Sequence, residues 1–216
     1  MTPRRHDWVY VHADTQPVMD NATDVQREWV AHWIARGGPL VVTRQHAAEG
    51  LVSLGAVLPA SHGAARIAST VPPSAIARQR GPVTAGEAAT VLPDHEAAAL
   101  ARFARSVAGH ALQLGIYGST AWEFFTDQGY RHAHSDLDVV CDVASSAGFT
   151  ACLAAFAEAA HYFPARIDGE LRFASGHAVA WRELHDAYHC GASVVLAKGE
   201  REIAMLPLRQ ILAPLR

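Results

Sequence analysis

The hydrophobic positions of this chain follow two rhythms, one on either side of residue 93. On the N-terminal side, short apolar runs are cut apart by glycine and proline. Trp8 to Val11 reads as a strand and Trp29 to Ile34 as a helical stretch closed by Gly37-Gly38. Leu40 to Thr43, Leu51 to Leu58 and Ile67 to Val71 read as further strands, with Pro39, Gly50, Pro59, Gly63 and Pro72-Pro73 between them. Short strands between such breakers predict a small β-rich domain over residues 1–80. From Pro72 to Thr90 there is little periodicity, and Gly81-Pro82 and Gly86 interrupt the chain, so a linker is expected over 81–92.

Beyond Pro93, Leu100, Phe103, Ala104, Val107, Ala111 and Leu114 recur at helical spacing, with Asp94 as the expected cap. Leu114 to Tyr117 is a short strand running into Gly118-Ser119. Thr120 and Glu123 have the spacing of a capping box, which predicts a second helix ending near Gly129. Leu137 to Val143 is a strand, and Phe149, Cys152, Leu153, Phe156 and Ala160 form a helical stripe stopped by Pro164. Arg166 to Phe173 alternates strictly, and Ser175-Gly176 turns the chain back into Val179 to Trp181. Residues 93–216 are therefore expected as a second domain with a mixed sheet and helices, and the whole chain as α+β.

Composition narrows the partners. Half of the 216 residues are apolar and 18% are charged, which supports a folded core. The net charge of −3 disfavours a protein that grips nucleic-acid backbone. No apolar run has the length of a membrane span, and no apolar segment follows Arg4-Arg5, so neither a membrane anchor nor a signal peptide is expected. The three cysteines, Cys141, Cys152 and Cys190, are widely spaced and do not suggest a disulfide framework. The expected location is cytoplasmic. Of the 18 basic residues only Lys198 is lysine, at the end of the apolar run Val194 to Ala197, where it is a candidate phosphate contact.

Three features of the second half belong together. Gly118-Ser119 lies where a strand gives way to a helix, Ser135-Asp136-Leu137-Asp138 enters the next strand, and Asp168-Gly169-Glu170 lies in the one after. Strand alternation puts Asp136 and Asp138 on one face, and Asp168 and Glu170 on one face of their own strand. Carboxylates brought that close repel one another unless a cation neutralises them. Mg²⁺ takes carboxylate and phosphate oxygens together, and paired ions can clamp the attacking and leaving oxygens of a phosphoryl displacement. A glycine and a hydroxyl at a helix start complement this, because free backbone N–H groups hold anionic oxygens there. Three or four carboxylates, from Asp136, Asp138, Asp168 and Glu170, are thus expected to gather round divalent cations, with Gly118, Ser119 and Lys198 as candidates for substrate binding.

This pattern resembles the nucleotidyltransferase superfamily of the DNA polymerase β type, with Arg166-Ile167-Asp168 similar to its third-carboxylate strand. A fuller resemblance, over nearly the whole chain, is to the phosphoribosyl-dephospho-CoA transferases, or malonate decarboxylase holo-acyl-carrier-protein synthases. Arg5-His6-Asp7, Pro39 to Val42, Gly118-Ser119 with Trp122, Tyr130, Ser135 to Asp138, Asp168 to Leu171 and Ala180 to Leu184 carry it. The chain departs from the family in the loop Thr126-Asp127-Gln128-Gly129.

The resemblance implies Mg²⁺-dependent transfer of phosphoribosyl-dephospho-CoA from its triphosphate precursor to a serine of the malonate decarboxylase acyl carrier protein subunit, with release of diphosphate. Asp136 and Asp138 would ligate the metal, Asp168 would ligate it or take the serine proton, and Gly118 and Ser119 would hold the diphosphate. Two alternatives stand beside this reading. One is a nucleotidyltransferase moving NMP from an NTP to a small molecule or another protein. The other is a catalytically silent module that binds a nucleotide or the carrier protein.

Other residues have ordinary expectations. Glu170 is expected to pair with Arg166 or Arg172, and Arg182 with Glu183. His132, His134, His185 and His189 are expected as surface histidines, and Trp122, Phe124, Phe125 and Tyr130 as anchors in the core. Arg44 and Arg66 flank strands of the first domain, where solvation is the expected role and contact with anionic substrate groups the alternative. For that domain as a whole, the CoA moiety and the carrier protein are the alternative ligands.

Overall fold

The computed structural model describes residues 3–46, 50–191 and 193–215. The chain divides into two compact units, one of residues 1–82 with 125–130 and one of residues 83–124 with 131–216. Mixed helix and sheet content bears out the α+β expectation.

In the first unit, β1 (Trp8–Val11), β2 (Leu40–Val42), β3 (Val52–Val57), β4 (Arg66–Val71) and β5 (Ile76–Arg80) form an antiparallel sheet in the order β4-β3-β2-β1-β5. One helix, α1 (Asp24–Ala35), starts earlier than its apolar stripe suggests, because Thr23 and Gln26 close a capping box ahead of it. Val30 and Ile34 are its buried positions. At the far end of this unit's chain, Tyr130 Oη donates to the Val57 carbonyl at 3.0 Å, and burial pushes its hydroxyl up to about 12. Phe125 sits 4.5 Å, ring to ring, from the fully buried Trp8. Both aromatic residues thus tie down the 125–130 segment, but they are half-buried like Phe124, and of the four residues expected as core anchors only Trp122 is buried.

The second unit begins inside the stretch expected as a linker. Residues 81–92 contain β6 (Val83–Thr84) and α2 (Ala85–Ala89), which opens with a capping box between Thr84 and Glu87. There follow α3 (Asp94–Ala108), β7 (Leu114–Ile116), α4 (Gly118–Thr126), β8 (Leu137–Val143), α5 (Ser146–Tyr162) and β9 (Ile167–Phe173). After these come β10 (Ala178–Ala180), α6 (Trp181–Cys190), β11 (Val194–Lys198), β12 (Ile203–Pro207) and α7 (Leu208–Leu212). Among the described residues the strands form one sheet in the order β12-β11-β10-β9-β8-β7-β6. Only β8 and β9 pair in parallel, and α5 is the crossover that parallel pairing requires.

Three expectations need correcting here. Asp94 does not cap α3: it is the first helical residue, behind Pro93, which makes no side-chain cap bond. Thr120 and Glu123 form no capping box, because α4 starts at Gly118 and Thr120 is already inside it, with its hydroxyl buried and unbonded among the described residues. The hairpin strand stops at Ala180, and Trp181 opens α6.

One face of the sheet is apolar. Leu137, Val139, Cys141 and Val143 of β8 are buried, as are Ile167, Gly169, Leu171 and Phe173 of β9. Helices α5 and α6 pack against these strands, and α3 packs on α5, with Phe103 edge-on to Phe156 at 4.9 Å. Gly169 is a packing glycine, since a methyl group there would stand 2.2 Å from the Phe156 ring. Fully burying a side chain of this size stabilises the fold by about 1.5–3 kcal/mol. That apolar face fixes the register, and with it the side chains on the other face.

Candidate active site

The opposite face of β8 and β9 carries charge in a strict order. The parallel register sets Asp138 beside Asp168, Val140 beside Glu170 and Asp142 beside Arg172. The ladder continues one step earlier, where the Leu137 amide donates to the Arg166 carbonyl at 2.8 Å, so Asp136 lies beside Arg166. All three aspartates expected at the site therefore belong to one face of two adjacent strands.

The acids on this face are handled in two ways. Toward the C-terminal ends of the strands they are neutralised within the sheet. Arg172 holds Asp142 through two bonds of 3.0 and 2.7 Å. Lys198 Nζ lies 2.6 Å from Oε1 of Glu170, whose residue is only 4% exposed. The sole lysine thus has a carboxylate partner, which was expected to pair with Arg166 or Arg172 instead.

At the N-terminal ends the environment is more open. Asp168 is exposed and Asp138 partly so. Arg166 reaches Asp136 with both arms of its guanidinium, Nε to Oδ1 at 2.8 Å and Nη2 to Oδ2. This guanidinium holds the Asp136 carboxyl below the usual carboxylate range against the opposing effect of burial, and Arg182 and His132 add to the lowering. In return Asp136, and more weakly Asp168 and Asp138, raise the Arg166 guanidinium further. Arg182 lies over the Trp181 ring at 4.4 Å rather than on Glu183, which accepts a bond from the Leu196 amide. Adjacent helical positions face different ways, so the expected Arg182–Glu183 pair does not form.

The helix start completes the site. Tyr117 N donates to the Asp138 carbonyl at 3.1 Å, extending the β7–β8 ladder to its last rung. The next residue, Gly118, takes the left-handed backbone conformation, φ +65°, and turns the chain into α4. A methyl group on Gly118 would stand 1.8 Å from Oδ2 of Asp138. Glycine is required twice over, by its backbone angle and by the carboxylate pressed against it. Ser119 follows at the second position of α4, half-buried. At the helix's other end, Glu123 accepts the Arg131 amide at 2.7 Å, and the Arg131 side chain pairs with Glu96.

The sheet and helix start thus bring Gly118, Asp138 and Asp168 together, with Asp136 one step along on the same face. Among the described residues no three acidic, histidine or cysteine side chains converge as a metal-binding group. Both oxygens of the Asp136 carboxylate are engaged by the Arg166 fork. In chemistry the donors still suit a hard divalent cation: oxygen ligands side by side on a rigid sheet, with positive charge already attracted to them. Arg182, expected only as a partner of Glu183, instead adds to the lowering of Asp136, and its signal in the sequence lay in the Ala180 to Leu184 motif. The histidines expected as surface groups form no such cluster either, His185 facing Asp186 at 3.5 Å.

Comparison with known proteins agrees in both units. Residues 4–82 match the phosphoribosyl-dephospho-CoA transferase MdcG N-terminal domain, and residues 83–208 the corresponding C-terminal domain. A phosphoribosyl-dephospho-CoA transferase of Bradyrhizobium diazoefficiens is 32% identical over 98% of this chain and 93% of its own length. Another, from Xanthomonas axonopodis pv. citri, is 32% identical over 98% of this chain and 97% of its own. No solved structure matches the chain. No helix among the described residues is long and apolar enough to cross a membrane.

Proposed function

Since this chain belongs to the phosphoribosyl-dephospho-CoA transferase family, and is a transferase, we propose that it attaches phosphoribosyl-dephospho-CoA to the acyl carrier protein subunit of malonate decarboxylase. The donor is the triphosphate-activated precursor and the acceptor a serine hydroxyl of the carrier. The serine oxygen forms a bond to the α-phosphorus, the bond from that phosphorus to the bridging oxygen breaks, and diphosphate departs. The observation that carries this reading is the contact of Gly118 with Asp138 while Asp138 stands in register with Asp168.

Each residue has a task that its position suits. Gly118 and Ser119, at the start of α4, hold the departing diphosphate through a backbone amide and a hydroxyl. Asp168, exposed at the sheet end, receives the serine proton or shares in metal binding. Asp138 and Asp168 would hold Mg²⁺, with Asp136 joining them on leaving the Arg166 fork, and the ion would supply Lewis-acid stabilisation of charge on the triphosphate. Arg166 keeps the like charges of this acidic group compatible with a folded sheet.

Mass spectrometry tests the proposal. Apo carrier protein incubated with the chain, Mg²⁺ and the triphosphate precursor should gain the mass of one phosphoribosyl-dephospho-CoA group. ATP in place of the precursor should leave the carrier unmodified. Adenylylation by ATP, with no gain from the precursor, supports the nucleotidyltransferase alternative instead.

A further inference from the structure

The acidic group lies in the second unit, and in the first a cavity of about 460 Å³ is lined, among the described residues, by residues of that unit alone. It opens between the 18–22 segment, the N-terminal turn of α1, the end of β2 and the strands β3 and β4. Its size is that of a small-molecule site and exceeds what one phosphate needs.

The lining has a definite chemistry. Arg44 and Arg66 both face it, and among the described residues neither guanidinium has an ion-pair or hydrogen-bond partner. Arg44 Nε is buried and unbonded, as is the Ser69 hydroxyl, in a residue only 4% exposed. A buried donor left without a partner costs about 1–3 kcal/mol, so these groups mark a place where a ligand satisfies them. Among the described lining residues one carboxylate, Asp20, stands against the two cations. Asn21 and Gln26 add amide groups, and Leu54 and Ile67 supply apolar surface. Among the described lining residues there is no Phe, Tyr or Trp on which a nucleobase would stack, and the one ring is the imidazole of the exposed His46.

A ligand that fits carries phosphate for the arginines, amides for the asparagine, glutamine and serine, and short aliphatic segments, with no aromatic ring. That is the chemistry of a phosphorylated pantetheine arm. We propose that this cavity binds the phosphopantetheine portion of the CoA-type substrate, giving the first unit the task of recognising the group to be transferred. This inference rests on the substrate class proposed above, while the cavity and its unpaired groups are made of other residues than the catalytic ones.

Calorimetric titration of the full chain in Mg²⁺-free buffer tests it, with 4′-phosphopantetheine as the probe and pantetheine, inorganic phosphate and AMP for comparison. Phosphopantetheine should bind saturably and more tightly than each of the other three. Arg66→Gln, at an exposed position, should weaken it about tenfold, and Arg44→Gln at least as much. Asp138→Asn should leave this binding unchanged even where it stops transfer, which separates failure of the cavity from failure of the catalytic site. The proposal is overturned by absence of saturable binding, by full affinity in a folded Arg66→Gln variant, or by AMP or phosphate binding as tightly as phosphopantetheine.

Discussion

The carboxylate of Asp138 fills the place beside Gly118 that a side chain would take, so that a methyl group there would overlap Oδ2. One residue thereby ties a helix start to a strand-borne acid. Gly118→Ala is expected to force the carboxylate or the turn aside, and the left-handed angle adds about 1–2 kcal/mol of backbone strain. A displacement of this size at a reacting centre lowers rate by about a hundredfold. Carrier labelling should fall to that degree while far-UV circular dichroism stays native. Near wild-type labelling would show that the close contact has no part in transfer.

The same residue shows what the sequence made legible. Strand Leu137–Val143 and its parallel partner could be read because strict alternation assigns each side chain to a face, and a shift by one residue would bury the aspartates. The helix starts were harder. Thr84 with Glu87 and Thr120 with Glu123 have the same spacing, yet only the first pair caps a helix. Gly118 had already turned the chain two residues before Thr120, whereas β6 delivers Thr84 to the point where α2 begins. The pattern records a possible cap, and the incoming chain decides whether it is used. Helix α6 was hidden because its apolar positions Trp181, Leu184 and Ala187 are sparse among polar residues, and Trp181 also continues the preceding strand's pattern. The bond between Lys198 and Glu170 joins residues far apart in sequence, through β10 between their strands, and no local spacing reveals it.

That bond supports a stability prediction. Lys198→Met leaves a carboxylate of the sheet interior without this cation and should destabilise the fold by about 1.5–3 kcal/mol. Adding Glu170→Gln should restore part of the loss. Urea denaturation of the single and double variants measures both effects. If Lys198 serves only substrate phosphates, its variant keeps full stability and shows a raised KM for the triphosphate precursor.

Tyr130 gives the pH dependence of the first unit. Burial raises its hydroxyl from 10.0 to about 12, outweighing the bond with Thr126 that lowers it. The neutral form is thus favoured by folding, and the stabilisation is complete below the unfolded value near 10 and lost as pH rises through about 12. Burial raises the Tyr162 hydroxyl as well, so ultraviolet difference titration should show late ionisation whose amplitude falls by one tyrosine in Tyr130→Phe, a change that also costs about 1 kcal/mol for the bond to Val57. A late amplitude left unchanged in the variant would assign it to other tyrosines.

The central claim is that the register pair Asp138 and Asp168 forms the transfer site. Its most direct test is intact-mass measurement of the carrier protein after incubation with Mg²⁺, the triphosphate precursor and wild-type, Asp138→Asn or Asp168→Asn chain. The wild type should add the prosthetic-group mass, and each folded variant should slow that addition at least a hundredfold, in line with loss of a metal-ligand or proton-transfer group. Labelling by both variants at the wild-type rate would contradict the account.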